Sequence, residues 1–245
     1  MRTMSLSLVI TIVLCACASA TQDIIPFVGC PADGQMGYIA PPHGPPKTVQ
    51  LHEIPAGAIA YYKGDPAPGV YAPRGWHCRV WYGSNGSLVL VTPSPIDTTD
   101  FMPPKLLGPG VDLVQRSAET SGRFDVASYG ARLFPALLAT FIEGVKKEGL
   151  VPDSEFDPRR YAKDSVKYLD TRVAEFITPP GVSGLGTANF LAPSQDAVHG
   201  IAVVAPDSTV PDLSVLSIRL GAGMSQLEAA LLRLNRACMA ATDSC

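Results

Sequence analysis

His77-Cys78-Arg79-Val80-Trp81-Tyr82-Gly83-Ser84-Asn85-Gly86-Ser87-Leu88-Val89-Leu90-Val91 is the stretch that decides the fold class. Two runs rich in β-branched and aromatic residues flank a Gly-Ser-Asn-Gly tetrapeptide. Asn85-Gly86 tolerates positive φ at both central positions of a tight turn, so the stretch predicts an antiparallel hairpin. Its second run is apolar on both faces, which places it inside a sheet rather than at an edge.

Working outward, residues 58–63 read as a short aromatic-rich strand, and residues 198–205 and 213–220 as two strands joined by Pro206-Asp207-Ser208-Thr209-Val210-Pro211-Asp212. Residues 128–148 carry Leu133, Leu137, Phe141 and Val145 at a spacing of four, with Leu138 and Ile142 beside them. That stripe predicts one buried-face helix, with Lys146 and Lys147 in its last turn and Gly149 as its stop; Pro135 must sit in a first turn or mark a kink. Residues 160–169 read as continued helix and 173–178 as strand. Residues 182–196 read as a flexible Gly-rich loop. Residues 225–240 form the last helix, with Ser225 and Glu228 as a capping box and Leu227, Leu231, Leu234 and Cys238 along one face. The expected fold is therefore α+β: antiparallel hairpins packed with two main helices, stapled by disulfides. Residues 26–57 are proline-rich and read as loop. Residues 93–110 hold five prolines and are the best place for a subdivision of an otherwise single domain spanning 21–245.

The first twenty residues have a different character. MRTMSLSLVITIVLCACASA has one charge at Arg2, an apolar run from Leu6 to Leu14, and Ala18-Ser19-Ala20 at its end. This is the signal-peptide pattern, too short for a membrane span, and it predicts a secreted or periplasmic protein beginning at Thr21. Leu14-Cys15-Ala16-Cys17 also resembles a bacterial lipoprotein box, and the alternative is a chain anchored to the cell envelope by lipid on Cys17. No later stretch is long and apolar enough to span a bilayer.

Export sets the redox chemistry. Cys30, Cys78, Cys238 and Cys245 remain after the leader is removed, and four cysteines in an oxidising compartment read as two disulfides. Three connectivities are open; locality favours Cys30–Cys78 and Cys238–Cys245. The second pair requires the last helix to end near Ala241, because seven residues of intact helix span about 10.5 Å.

Composition excludes some function classes. With 22 acidic against 19 basic residues, the chain lacks the excess of Lys and Arg that a nucleic-acid binder uses to displace counterions. Among the candidates for chemistry, Trp76-His77-Cys78 places an imidazole beside a thiol, with His199 as a more distant base, so Cys78 with His77 or His199 is the candidate for a nucleophilic hydrolase. Neighbouring strand residues point to opposite faces, and no helix N-terminus lowers the pKa of Cys78, so a disulfide is the competing role. Gly221-Ala222-Gly223 begins a dinucleotide fingerprint, but Gln226 occupies the third glycine position and no second strand follows the helix. Gly181-Val182-Ser183-Gly184-Leu185 lacks the last glycine of a serine elbow. Asp153, Glu155, Asp157 and Asp164 fit four positions of a calcium loop whose required glycine is Pro158. His43, His52, His77 and His199 show no metal-ligand spacing, and neither metal nor cofactor is expected. Asn85-Gly86-Ser87 is a glycosylation sequon that the turn already explains. Trp76, Trp81, Tyr61, Tyr62 and Tyr82 cluster in the β region and read as sheet packing, with a partly exposed subset that suits a sugar or peptide as the alternative. The expectation is a non-enzymatic exported module that binds a protein, peptide or glycan. The alternative is an exported hydrolase built on Cys78.

Overall fold

The computed structural model describes residues 22–51, 54–97, 103–205 and 210–240; the leader, with Cys15 and Cys17, and Cys245 lie outside them. Six short strands come first: β1 (Asp23–Ile25), β2 (Phe27–Gly29), β3 (Ala32–Gly34), β4 (Lys47–Val49), β5 (Ile59–Lys63) and β6 (Val70–Pro73). The hairpin follows as β7 (His77–Gly83) and β8 (Gly86–Thr92), then β9 (Gly110–Arg116). Helices α1 (Arg123–Leu133) and α2 (Ala139–Lys147) precede β10 (Ser165–Tyr168), β11 (Val173–Thr178), β12 (Val198–Val204) and β13 (Leu213–Arg219), and α3 (Ser225–Ala240) closes the described chain.

Eight strands form one sheet in the order β10-β11-β12-β13-β9-β8-β7-β3. All its pairs are antiparallel except β3 with β7. A second sheet runs β2-β5-β6, and β1 pairs with β4. The fold is α+β, as expected, but dominated by strand. The expected layout of hairpins with two main helices is corrected to one broad mixed sheet and three helices among the described residues. β8 is interior, as its apolar faces required, and it pairs with β9 across the proline-rich segment 93–110.

Several local readings change for identifiable reasons. The hairpin loop is Ser84-Asn85, one residue upstream of the expected Asn-Gly pair, since Gly83 faces Gly86. Gly86 alone there has positive φ, +128°, and a Cβ on it would stand 2.0 Å from the Gln115 carbonyl oxygen, so only glycine fits. The helix expected over 128–148 is two helices. Phe134 leaves helical geometry at φ −136°, ψ 48°, immediately before Pro135, as the restriction on residues before proline favours. Gly149 takes its left-handed stop at φ +65°. Residues 165–168, expected as helix, form β10 on β11. The capping box is absent: the Glu228 amide donates to the Met224 carbonyl at 2.9 Å, which makes Met224 the N-cap.

Alternation along the strands assigns the core to two faces. On one face Val80, Val89, Val91, Val111, Leu113, Ile201, Leu216 and Ile218 pack with Tyr61, Tyr62 and Val70 of the smaller sheet and Leu231 of α3. On the other, Ala174, Phe176, Ala202, Val204, Leu213 and Val215 pack with Val126, Leu133, Ile142 and Val145 of α1 and α2. Two features fasten the first face. Cys30, between β2 of the smaller sheet and β3 of the larger, is bonded to Cys78 on β7 with Cα atoms 5.3 Å apart. Asn235 of α3, 1% exposed, accepts from the Tyr71 amide at 2.8 Å and donates to the Tyr71 carbonyl at 2.9 Å, so the helix completes the hydrogen bonding of β6. Cys238 is disulfide-bonded as well; Cys245, its expected partner, lies outside the described residues.

Candidate functional site

The second face of the large sheet buries Asp112, Arg116, Ser217 and Arg219 among its apolar residues. Cross-strand pairing sets Trp81 against Leu88, Leu90 against Asp112, and Asp112 against Ser217. Asp112 and Ser217 are both 0% exposed. Burial pushes the Asp112 carboxyl up to about 7, against the opposing pull of the Phe190 and Leu191 amides and the Ser217 hydroxyl.

The segment 184–192 lies across this face. Sequence reading expected a flexible loop; it is tied down instead. The Leu185 amide donates to Asp164 Oδ2 at 2.6 Å, the Gly186 amide to Thr178 Oγ1 at 3.0 Å, and the Phe190 amide to Asp112 Oδ2 at 3.2 Å. Leu106 and Leu191 form a parallel bridge. Arg219, 1% exposed, donates to the carbonyls of Leu106, Gly108 and Ala192 at 2.6–2.9 Å. Gly-rich backbone is used here because side chains would collide: a Cβ on Gly186 would meet Val198 Cγ1 at 2.5 Å.

Between this loop and strands β7–β9 lies a cavity of about 540 Å³. Its apolar wall is Trp81, Leu88 and Phe190, the two aromatic rings 4.9 Å apart. Its amides are Gln35, Asn85 and Asn189; Asn189 Nδ2 donates to the buried Tyr129 hydroxyl at 2.9 Å. Burial, and then the neighbouring Asp112, push that phenol up, so it stays protonated. Lys105 Nζ donates to the carbonyls of Thr187 and Ala188 at 2.7 and 3.0 Å. Arg116 Nε donates to Asp125 Oδ2 of α1 at 2.6 Å. Both cations line the cavity, and among the described residues no Asp or Glu does. Gln35, Lys105, Arg116 and Asn189 are each held by another partner, so the site is largely organised before anything enters it.

The catalytic and metal candidates from sequence lie elsewhere, whereas Trp81, Tyr82 and Asn85 line the cavity. Cys78 Sγ is bonded to Cys30, and a sulfur in that bond is not a thiolate. His77 is exposed at the start of β7. His199 stands on β12, four strands from β7, or about 19 Å at the usual strand spacing. Its Nδ1 lies 3.5 Å from Glu228 Oε1, and burial raises the pKa of that carboxyl. The acidic run is consumed internally: Glu155 pairs with Arg160, Asp157 with Arg159 at 3.0 Å, and Asp164 receives Leu185. Among the described residues no group of three His, Cys, Asp or Glu side chains is placed to hold a metal. Gly221-Ala222-Gly223 forms the turn before α3, with Gly223 at φ +86°. Of the aromatic cluster, Tyr61, Tyr62 and Trp81 are buried, and Tyr82 reaches the cavity while its hydroxyl donates to the Gly37 carbonyl at 2.7 Å.

Asp112, Arg116, Lys105 and Asn189 were not found from sequence. The available signal was a carboxylate inside the apolar run Val111-Asp112-Leu113-Val114, a polar residue at a core position of a strand that periodicity alone left unassigned. Comparisons with family models, with curated proteins and with solved structures find no match.

Proposed function

We propose that the chain is an exported, non-enzymatic binding module and that the cavity between β7–β9 and the 184–192 loop is its ligand site. The observation that carries this reading is preorganisation: Lys105 is fixed by the carbonyls of Thr187 and Ala188, Arg116 by Asp125, and Asn189 by the buried Tyr129 hydroxyl, beside an apolar wall. A volume of about 540 Å³ suits a small molecule or the end of a chain, rather than the face of a folded partner.

Export is supported by the leader pattern of residues 1–20 and by the Cys30–Cys78 bond, which the cytosol would keep reduced. No helix among the described residues is long and apolar enough to cross a membrane. Thr21 is the proposed first residue of the mature chain, with lipid anchoring at Cys17 as the competing route. The absence of catalysis is supported by the bonded sulfur of Cys78, the distance of His199, and the sealing of Asp112 from solvent.

The test has two arms. Protein collected outside the cytosol and denatured without reductant is expected to show no reactive thiol. Against a small-molecule panel, the wild type is expected to gain Tm with particular compounds, and Gly83→Phe to lose that gain. Gly83 lines the cavity, and its Cβ would meet only Asn85 and Gln35 at 3.5–3.8 Å, so a larger side chain fills the space without backbone strain. Rapid alkylation of native Cys78 at neutral pH overturns the reading in favour of the thiol hydrolase.

A further inference from the structure

We propose that the cavity takes a small organic carboxylate with a flat apolar body. This rests on the binding reading above and narrows it to a ligand class.

The charge on the walls is the first argument. The chain as a whole is acidic, at −3, yet among the described residues the cavity is lined by Lys105 and Arg116 and by no carboxylate. The nearest buried acid, Asp112, is covered by the Phe190 backbone and is 0% exposed, so it does not meet an occupant. Asp125 takes Nε of Arg116 and Nη1 is enclosed, so Arg116 contributes positive charge close beneath the wall while Lys105 supplies the direct contact. The two carbonyls on Lys105 hold its ammonium in place, so little side-chain entropy is lost when an anion arrives.

The apolar wall decides between anions. Trp81, Leu88 and Phe190 gain nothing from inorganic phosphate, which stays hydrated and cannot cover them. A ligand that both neutralises the cations and buries this wall needs an anionic end and an apolar body. Trp81 and Phe190 pack on each other at 4.9 Å and are each 2% exposed, so the apolar strip they leave open is narrow and suits a thin, flat body. Gln35, Asn85 and Asn189 supply planar amides for a further hydroxyl or carbonyl on that body.

Titration calorimetry with benzoate, its neutral isostere benzamide, and inorganic phosphate tests the proposal on the full-length mature chain. Benzoate is expected to bind, benzamide to bind about tenfold more weakly, a difference of about 1.4 kcal/mol, and phosphate not to compete. Raising the ionic strength is expected to weaken benzoate and leave benzamide unchanged. Lys105→Met is expected to remove the preference for benzoate and Lys105→Arg to restore most of it. The salt arm uses unaltered protein, so it stands even if Lys105→Met fails to fold. Equal affinity for benzoate and benzamide overturns the carboxylate class while leaving the cavity as a binding site. Phosphate displacing benzoate stoichiometrically overturns the requirement for an apolar body. No benzoate binding at all overturns the ligand class, and benzoate affinity undiminished in Gly83→Phe overturns the site itself.

Discussion

The two faces of the eight-stranded sheet are built from the same strands to different ends. Toward the three-stranded sheet and α3, the sheet presents Val80, Val89, Val111, Leu113, Leu216 and Ile218, and the layer is stapled by Cys30–Cys78 and Asn235. Toward the 184–192 loop, the alternate positions of those strands are Trp81, Leu90, Asp112, Arg116, Ser217 and Arg219. Among the described residues the first face is mostly apolar, and the Tyr61 hydroxyl and Ser87 Oγ are its buried atoms without partners. The second buries charge, with Asp112 0%, Arg219 1% and Arg116 7% exposed, and leaves Arg116 Nη1 without a partner. A buried polar atom left unpaired costs stability, about 1–3 kcal/mol each. The difference teaches that this fold concentrates its stability on one face of the sheet and spends the other on holding a loop and its cations in place.

The largest effect should come from breaking the first face. Cys78→Ser opens a bond that closes 48 residues of chain and is expected to cost about 4 kcal/mol by the loop-entropy relation, read as a lower midpoint in guanidinium denaturation. The variant is expected to keep its cavity if the two faces are independent.

The second face should answer to pH. The folded Asp112 holds its proton up to about 7, whereas in the unfolded chain it releases it near 3.8. Between those values the native state binds more protons than the unfolded state, so stability falls as pH rises across that window. Three pKa units correspond to about 4 kcal/mol at most. Asp112→Asn is therefore expected to flatten the fall in unfolding free energy from pH 4 to pH 7. Asp164 and Glu228, which burial also shifts upward, lose stability in the same direction; they remain in both proteins, so the difference between the two curves belongs to Asp112. A variant curve parallel to that of the wild type would contradict the assignment.

Smaller effects sharpen the contrast. Asn235→Leu leaves the Tyr71 amide and carbonyl unpaired at the buried edge of β6 and is expected to cost about 2 kcal/mol, measured by urea denaturation. Ser225→Ala is expected to cost less than about 0.5 kcal/mol, where loss of a true N-cap costs about 1 kcal/mol. A cost at the higher value would restore the capping box.

What the sequence disclosed follows from how locally each feature is encoded. The hairpin at 77–91, the strands at 58–63, 198–205 and 213–220, and the helix at 225–240 are written in periodicity and turn residues, and the structure has them within a residue or two. Cys30–Cys78 was legible because export and spacing leave few pairings. The break at Phe134 was half-legible: Pro135 signalled it, but the leucine spacing ran straight across. β9 was missed because Asp112 interrupts its apolar run, and that interruption was the trace of the candidate site. The cavity was not legible at all. Its walls come from residues 35, 81–83, 85, 88, 103, 105, 116 and 188–190, brought together by strand order and by a loop whose anchors are buried side chains far away in sequence. No local pattern encodes such a meeting.

Native mass spectrometry of the protein recovered from outside the cytosol, beside Gly83→Phe prepared identically, addresses the binding claim most directly. The account predicts a small-molecule adduct on the wild type that is absent from the variant, with both chains carrying their cysteines as disulfides. An adduct of equal abundance on both proteins, or a bare wild type that no compound shifts, would contradict it.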